Sequence, residues 1–148
     1  MRALLIRQPW IDMILEGMKT WELRGSRTSV RGGIGLIASR SGTVIGVCDL
    51  VDCVGPLSDE ELRSNAVKAG MTPEEATSAY RQTYAWVVSN ARRLATPVPY
   101  RHPSGAIIWV KLEENVEREI RQQLDDSEGV TREELRNESK PDNFTERK

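Results

Sequence analysis

The residues best suited to chemistry lie in one octet, residues 17–24, which reads GMKTWELR. Its last five residues, 20–24, alternate polar and apolar residues, as half-buried strands do, so Thr20, Glu22 and Arg24 are predicted to share one face. Lys19 comes directly before this strand, at the end of a predicted helix. Two cations and a carboxylate would then lie close together. Such a cluster could bind a ligand or catalyse a reaction, or it could be a salt-bridge network that ties the helix to the sheet.

A binding role would use this cluster together with the polar and aromatic residues around it. Lys19 and Arg24 would contact a phosphate or a base edge, and Glu22 would accept a hydrogen bond from an exocyclic amine. The remaining amide and stacking contacts would come from Gln8 and from Trp10 or Trp86.

Positive charge near the octet could extend such a site. Arg27 and Arg31 belong to a stretch without acidic residues, and we expect them to continue a phosphate track. The alternative is that these arginines are solvated loop residues, as most surface charges are. Tryptophans are also frequently core residues, and this is the interpretation we prefer for Trp21 and Trp109, each of which has apolar neighbours in a strand.

An enzymatic role would need an attacking group. Glu22 could act as a general base on water while Lys19 stabilises the oxyanion. Thr20 carries the nearest hydroxyl and is a weaker candidate for the nucleophile. A ribonuclease using the same residues has less support, because His102, the single histidine, falls in a predicted loop without an evident partner.

Metal and cofactor chemistry has little support in the sequence. The single histidine and the two cysteines, Cys48 and Cys53, supply too few soft ligands for zinc, and no Cys-x-x-Cys pair is present. The cysteines are an odd number of residues apart in one predicted strand, so they should point to opposite faces and not pair. We therefore expect no cofactor, and any hydrolase activity would be metal-independent.

Length and composition indicate one domain followed by a charged segment. The 148 residues are 39% hydrophobic, and no apolar run approaches the roughly 20 residues that span a bilayer. We expect a soluble, cytoplasmic protein without membrane association. Residues 1–112 hold 14 Lys and Arg against 10 Asp and Glu, a net charge of +4, whereas residues 113–148 hold 7 against 12, a net charge of −5.

Hydrophobic periodicity predicts an α+β fold. Strands are predicted over residues 3–6, 20–24, 34–39, 43–54, 84–88, 91–98 and 106–112, and helices over residues 11–18, 58–69 and 113–124, with a second helix start at Thr72. A mixed sheet of this kind would curl into a small β-barrel with flanking helices. The predicted domain covers residues 1–112. Residues 113–148 would form an acidic, helical to disordered tail that packs weakly and could bind a protein partner.

Three segments in this order resemble the ASCH (activating signal cointegrator homology) family of the PUA-like superfamily. The octet matches the family signature Gly-x-Lys-x-x-Glu-x-Arg at every defined position and follows the segment LIRQPW at residues 5–10. Residues 45–53 and the two segments 86–90 and 97–112 are similar to later strands of the family. The resemblance implies a small mixed or antiparallel β-barrel whose cleft is lined by the signature charges. It also implies nucleic-acid binding, ribonuclease activity or hydrolysis of N4-acylated cytidine.

This chain departs from the amidohydrolase members of that family at two positions. At the position of Glu22 those members have a threonine, which is paired with the signature lysine. Their second acid aligns with Ala69 of this chain. We therefore expect an ASCH domain that binds RNA, another single-stranded nucleic acid, or a nucleotide through Lys19, Glu22 and Arg24. The alternative is a hydrolase that acts in the same cleft on a modified nucleoside such as N4-acetylcytidine, or a ribonuclease.

Overall fold

The computed structural model describes the backbone of residues 1–77 and 79–138 and the side chains of residues 1–77 and 79–129. Within them the strands and helices are β1 (Arg2–Ile6), α1 (Trp10–Leu15), β2 (Trp21–Arg24), β3 (Gly32–Ala38), β4 (Thr43–Val54), α2 (Asp59–Ser64), β5 (Tyr84–Pro99), β6 (Trp109–Lys111) and α3 (Glu114–Glu138). The strands form one sheet in the order β2-β5-β4-β3-β1-β6. β1 and β3 are parallel and the other pairs are antiparallel, so the sheet is mixed, as predicted.

The sheet curls so that strands from its two sides meet across the interior. Arg24, on the edge strand β2, donates a hydrogen bond from Nη2 to the Leu5 carbonyl oxygen of β1 at 2.7 Å. Trp86 of β5 stacks on Trp109 of the opposite edge strand β6, with ring centroids 5.7 Å apart. The interior is filled by apolar side chains from most of the strands and from α1. The predicted small α+β barrel is therefore confirmed in the form of a curled half-barrel.

Helix α3 packs on the sheet, which corrects the weak packing expected of this polar segment. Val116 and Ile120 are buried in a second apolar cluster with residues of β4, β5 and β6. The side chain of Gln123 also bonds to both the backbone N–H and the carbonyl of Thr96. These anchors recur every three or four residues, so a narrow stripe is enough to attach the helix to the sheet. Residues 139–148, including the rest of the predicted tail, lie outside the described residues.

Several element boundaries differ from the predicted ones. The strands expected at 84–88 and 91–98 are one strand, β5, which bends at Asn90, a residue with φ of 52°. The helix start at Thr72 produces only a turn, although its hydroxyl does accept from the N–H of Glu75. The helix predicted over residues 58–69 is shorter, Asp59–Ser64, and begins at a capping box in which Ser58 and Glu61 exchange hydrogen bonds. None of the helices among the described residues combines the length and apolar character needed to cross a bilayer.

The two cysteines are unpaired, but they do not lie on opposite faces. Cys48 is buried in the main core, and Cys53 packs against the same cluster. The register of β4 against β5 shifts between Leu50 and Asp52, and the extra residue of such a bulge reverses the alternation of side chains. Desolvation, with a smaller contribution from Asp49, raises the pKa of Cys48 to about 12. The core cysteine is therefore a protonated packing residue rather than a reactive thiol.

Candidate functional site

A cavity of about 470 Å³ opens where β2, β1, the segment before β5 and the loop before β6 come together. Its volume is in the range of small-molecule sites. The three charged residues of the octet all line it. The full lining consists of Leu5, Ile6, Arg7, Trp10, Lys19, Glu22, Leu23, Arg24, Ser39, Met71, Thr77, Ala79, Tyr80, Thr83, Ile107 and Ile108.

Lys19 is placed by the turn that ends the α1 region and is almost fully buried, with 2% of its surface exposed. Gly17 makes that turn with φ of 79°, a conformation that glycine adopts without strain. The Lys19 ammonium donates to the carbonyl oxygen of Ala69 at 2.7 Å and lies 5.1 Å from the centroid of the Trp10 ring. Burial lowers the pKa of Lys19; the Glu22 carboxylate opposes this shift and Arg24 adds to it.

Glu22 lines the same cavity from the middle of β2, with 7% of its surface exposed. Its Oε1 lies 3.9 Å from Nε of Arg24, an ion pair without a close hydrogen bond. Its Oε2 is buried and has no hydrogen-bond partner among the described residues. Burial raises the pKa of Glu22, and the charges of Lys19 and Arg24 offset only part of that effect. A ligand that donates a hydrogen bond would satisfy this oxygen.

Arg24 is fixed by the strands that it joins. Besides its bond to Leu5, its guanidinium carbon lies 5.6 Å from the centroid of the Trp86 ring. The planar cation therefore stacks over an aromatic ring while it remains in the lining of the cavity. The structure thus brings Lys19, Glu22 and Arg24 together as the sequence pattern predicts, and it adds Trp10 beside them.

Three other predicted site residues do not line the cavity. Gln8 is exposed and hydrogen bonds to Asp12; the hydrogen bond from Arg93, and then that from Gln8, lower the pKa of this aspartate. Thr20 is exposed and precedes the first residue of β2, so its hydroxyl is not at the cavity. Trp86 is 1% exposed and stacked in the core, so its ring has no free face for a base.

The two arginines of the expected phosphate track lie in the exposed connection between β2 and β3 and do not line the cavity. Arg27 donates to the Gly55 carbonyl oxygen at 2.9 Å and lies over the Tyr84 ring. Arg31 donates to two backbone carbonyls of its own connection, those of Thr28 and Val30. Both guanidinium groups hold this connection in place.

The residues that the sequence interpretation missed come mostly from irregular segments. Tyr80 and Thr83 line the cavity from the connection before β5, which carries no hydrophobic periodicity, whereas Ile107 and Ile108 fall in the strand predicted over residues 106–112 but precede β6, which begins at Trp109. Arg7 also lines the cavity, and its position directly after β1 was the one available signal. The predicted strand gave the apolar pair at 107–108 a place in the sheet, but nothing in the sequence places the pair beside the octet.

The chemistry available here is hydrogen bonding and proton transfer. Among the described residues, no group of three or more histidine, cysteine or acidic side chains is arranged to hold a metal ion. Glu22 is the one carboxylate in the described lining. His102 lies elsewhere and is engaged on both ring nitrogens, with the Tyr100 hydroxyl at 2.9 Å and the Ala106 carbonyl oxygen at 3.0 Å.

Comparisons with known proteins agree with this architecture. Three solved structures of ASCH from Zymomonas mobilis resemble the chain, each at 16% sequence identity. The first has a TM-score of 0.60 and covers 84% of this chain and 93% of that chain. A tyrosine-to-phenylalanine variant has a TM-score of 0.61 with coverages of 82% and 96%, and a serine-to-alanine variant has 0.60 with coverages of 82% and 94%. At that identity the likeness shows the fold. No curated protein matches. The ASCH domain family profile matches residues 4–98, and the chain therefore belongs to the ASCH domain family.

Proposed function

We propose that this chain binds one base of RNA or of another single-stranded nucleic acid, or a nucleotide, in the cavity lined by Lys19, Glu22 and Arg24. The observation that carries the proposal is the buried Oε2 of Glu22, which has no hydrogen-bond partner among the described residues. A buried polar atom without its hydrogen bond costs about 1–3 kcal/mol. A ligand that brings an amine to this oxygen recovers that free energy on binding.

The rest of the lining favours a nucleobase over a simple amine. The two neighbouring cations donate hydrogen bonds and so require acceptors, which a base edge or a phosphate provides. The Trp10 ring, half-buried in the lining, offers an apolar surface beside them. A base carries donors, acceptors and a flat apolar face in one molecule. Arg27 and Arg31 remain our candidates for contacts with the phosphates of a longer strand.

Binding of a labelled single-stranded RNA tests the proposal. Glu22→Gln is expected to weaken binding about tenfold, because a charge-assisted hydrogen bond is replaced by a neutral one. Lys19→Ala and Arg24→Ala should weaken it at least as much. The matched control is Arg118→Ala, which removes a positive charge from the exposed face of α3. Salt-dependent binding that survives Lys19→Ala and Arg24→Ala unchanged would contradict the proposal.

A second candidate function is hydrolysis of a modified nucleoside such as N4-acetylcytidine. It is favoured by one observation: in the same cavity the pKa of Lys19 is lowered and that of Glu22 is raised. Opposite shifts of this kind are common where proton transfer occurs. Glu22 would take a proton from the water that adds to the acetyl carbonyl, with the oxyanion beside Lys19. Glu22 would then return the proton to N4 as the C–N bond breaks, which releases cytidine and acetate.

Incubation of the protein with N4-acetylcytidine, followed by chromatography, distinguishes this candidate from simple binding. Cytidine should accumulate with the wild type and not with Glu22→Gln. If no cytidine forms at high protein concentration, the hydrolase candidate is excluded for this substrate. Neither Thr20 nor His102 lines the cavity, so nothing in the geometry favours a threonine nucleophile or a ribonuclease that uses the histidine.

We also propose that the protein acts in the cytoplasm and that the acidic C-terminal segment binds a protein partner or screens the cavity from nucleic acid. The support is the net charge of −5 in residues 113–148. All of that excess charge lies in residues 113–128, which hold two Lys and Arg against seven Asp and Glu, so it is reduced by changing the exposed Asp125 and Asp126 to asparagine rather than by shortening the chain. Screening predicts tighter RNA binding by this variant, whereas a segment reserved for a protein partner predicts unchanged binding.

A further inference from the structure

The mouth of the cavity carries two large exposed side chains that the proposed function does not yet use. Tyr80 is 44% exposed and Ile107 is 81% exposed, and both belong to the lining. They come from different connections, the segment before β5 and the loop before β6. Single exposed apolar residues are ordinary, but two at the rim of a charged cavity suggest a contact surface.

The Tyr80 ring is positioned by its contact with Gly25, which we call the seat of the ring. A Cβ atom at Gly25 would lie only 2.8 Å from Cδ1 of Tyr80, so the aromatic ring rests directly on the backbone of a residue without a side chain. Gly25 follows Arg24 immediately, so this seat places the ring next to the charged cluster. The ring thus has one side on the protein backbone while almost half of the residue remains exposed.

Ile107 is held in its exposed position by both of its neighbours. The carbonyl oxygen of Ala106 lies 3.0 Å from Nε2 of His102, and the carbonyl oxygen of Ile108 accepts from the N–H of Leu5 in β1 at 3.0 Å. The loop therefore cannot fold the isoleucine inward without giving up these bonds. It presents an apolar side chain to whatever occupies the cavity mouth.

We propose that Tyr80 and Ile107 form a second subsite at the cavity mouth, on which the base next to the bound one stacks. This inference rests on the proposed function and narrows its ligand to a single-stranded polynucleotide rather than a free nucleoside. An aromatic ring is the usual platform for an unpaired base, and an aliphatic side chain can close on the other face of that base. It also supplies the stacking residue that the buried Trp86 cannot provide.

Charge and area both favour a nucleic acid as the occupant. The described lining carries three cations, Arg7, Lys19 and Arg24, against one carboxylate, and Arg7 is exposed. A polyanion would be attracted to such a mouth. The exposed apolar side chains there are few, Tyr80, Ile107 and Ile108. They fall far short of the about 800 Å² per partner that a specific protein interface buries.

The test compares a polymer with a monomer. The probes are four labelled single-stranded RNA hexamers that differ in one central base within a uridine background, the matching DNA hexamers, and the four nucleoside 5′-monophosphates as competitors. Tyr80→Ala and Ile107→Ala should each weaken hexamer binding at least about fivefold, as the loss of a stacked base does. Their affinity for the monophosphates should stay within about twofold of the wild type, and Tyr80→Phe should retain hexamer binding.

The seat of the ring provides an independent variant. Gly25→Ala should displace the Tyr80 ring and weaken hexamer binding while tyrosine is still present. In a double-mutant cycle, Gly25→Ala should add nothing in the Tyr80→Ala background. The matched control is Val67→Ala, which shortens a 76% exposed apolar side chain outside the cavity lining and should change nothing.

The outcomes separate this inference from the proposed function. If neither hexamers nor monophosphates bind the wild-type protein, both fail. If monophosphates bind and Glu22→Gln weakens them, but Tyr80→Ala and Ile107→Ala leave hexamer binding unchanged, only the second subsite is overturned. The subsite is also overturned if both variants weaken hexamers and monophosphates equally, or if they act by changing the oligomeric state measured by sedimentation. The DNA hexamers show whether the subsite distinguishes the two backbones.

Discussion

Two carboxylates on opposite sides of the sheet have opposite relations to the fold. Glu22 faces the cavity with one oxygen unpaired among the described residues, and burial raises its pKa. Glu117, in the first turns of α3, accepts from the Met1 ammonium group and from Arg121, each at 2.7 Å. These hydrogen bonds lower the pKa of Glu117. One carboxylate therefore costs stability, whereas the other contributes to stability.

The surroundings of the two groups differ in the same way. Beneath α3, Val116 and Ile120 complete an apolar cluster that closes the sheet on that side. At the cavity, charged side chains stand among apolar ones, and the space between them is left open. The comparison indicates that packing beneath α3 supplies stability to this small domain, while the residues around the cavity can differ in their chemistry without loss of the fold. Three substitutions test this division, each by the free energy of unfolding.

The largest effect is expected on the α3 side. Ile120→Ala should lower the free energy of unfolding by about 2–5 kcal/mol, because it removes a fully buried side chain and leaves a cavity. Urea denaturation measures this change, and Arg118→Ala, on the exposed face of the same helix, serves as the control. A loss below about 1 kcal/mol would mean that α3 is an accessory of the domain and that the division between the two sides is mistaken.

An effect of opposite sign is expected at the cavity. Glu22→Gln should raise the free energy of unfolding by about 1 kcal/mol at pH 8, because a neutral amide costs less to bury than a carboxylate whose desolvation is only partly offset by Lys19 and Arg24. The raised folded pKa means that the wild type loses stability as pH rises from the ordinary value of 4.5 through that pKa. The gap between the two proteins should therefore narrow as pH falls to about 4. A destabilised Glu22→Gln at pH 8 would make the charged cluster a structural network instead.

The smallest effect is expected at Glu117. Glu117→Gln should lower the free energy of unfolding by less than about 1 kcal/mol at pH 7, since the Glu117 side chain is partly exposed and its partner Arg121 is solvated, so that solvent screens the interaction. Here the folded pKa is lowered, so the contribution is present above the ordinary value of 4.5 and is lost as pH falls through the folded pKa. Wild type and variant should thus converge in acid, and their difference should shrink in high salt. A difference that grew in acid would contradict the assignment.

The sequence was sufficient to predict the charged cluster, because there the local pattern and the side-chain chemistry agree. Alternation along residues 20–24 placed Glu22 and Arg24 on one face, and a glycine in the left-handed conformation brought Lys19 to them. The same pattern failed for Thr20, because β2 begins one residue later and the threonine lies outside the cavity. Alternation gives a face of the strand but does not say how far along the strand the cavity extends.

The missed features depend on contacts between distant parts of the chain. The sequence predicts Trp86 as a possible stacking residue, but the curl of the sheet brings Trp109 onto Trp86 and encloses both rings. The seat of Tyr80 on Gly25 joins residues far apart in sequence, and no local rule links them. The packing of α3 was underestimated because composition was weighed above spacing, although Val116 and Ile120 already form a stripe at helical intervals.

The bond from Lys19 to Ala69 has a consequence for how relatives of this protein should be recognised. The ammonium group is held by a main-chain oxygen, which every amino acid possesses, rather than by an acidic side chain. The hydrogen bond itself therefore places no demand on the side chain at position 69; the small alanine is required there by its burial against Trp21 and Ala85. Relatives without an acidic residue at this position can therefore hold the lysine equally well. The path of the backbone is the better criterion for recognising them.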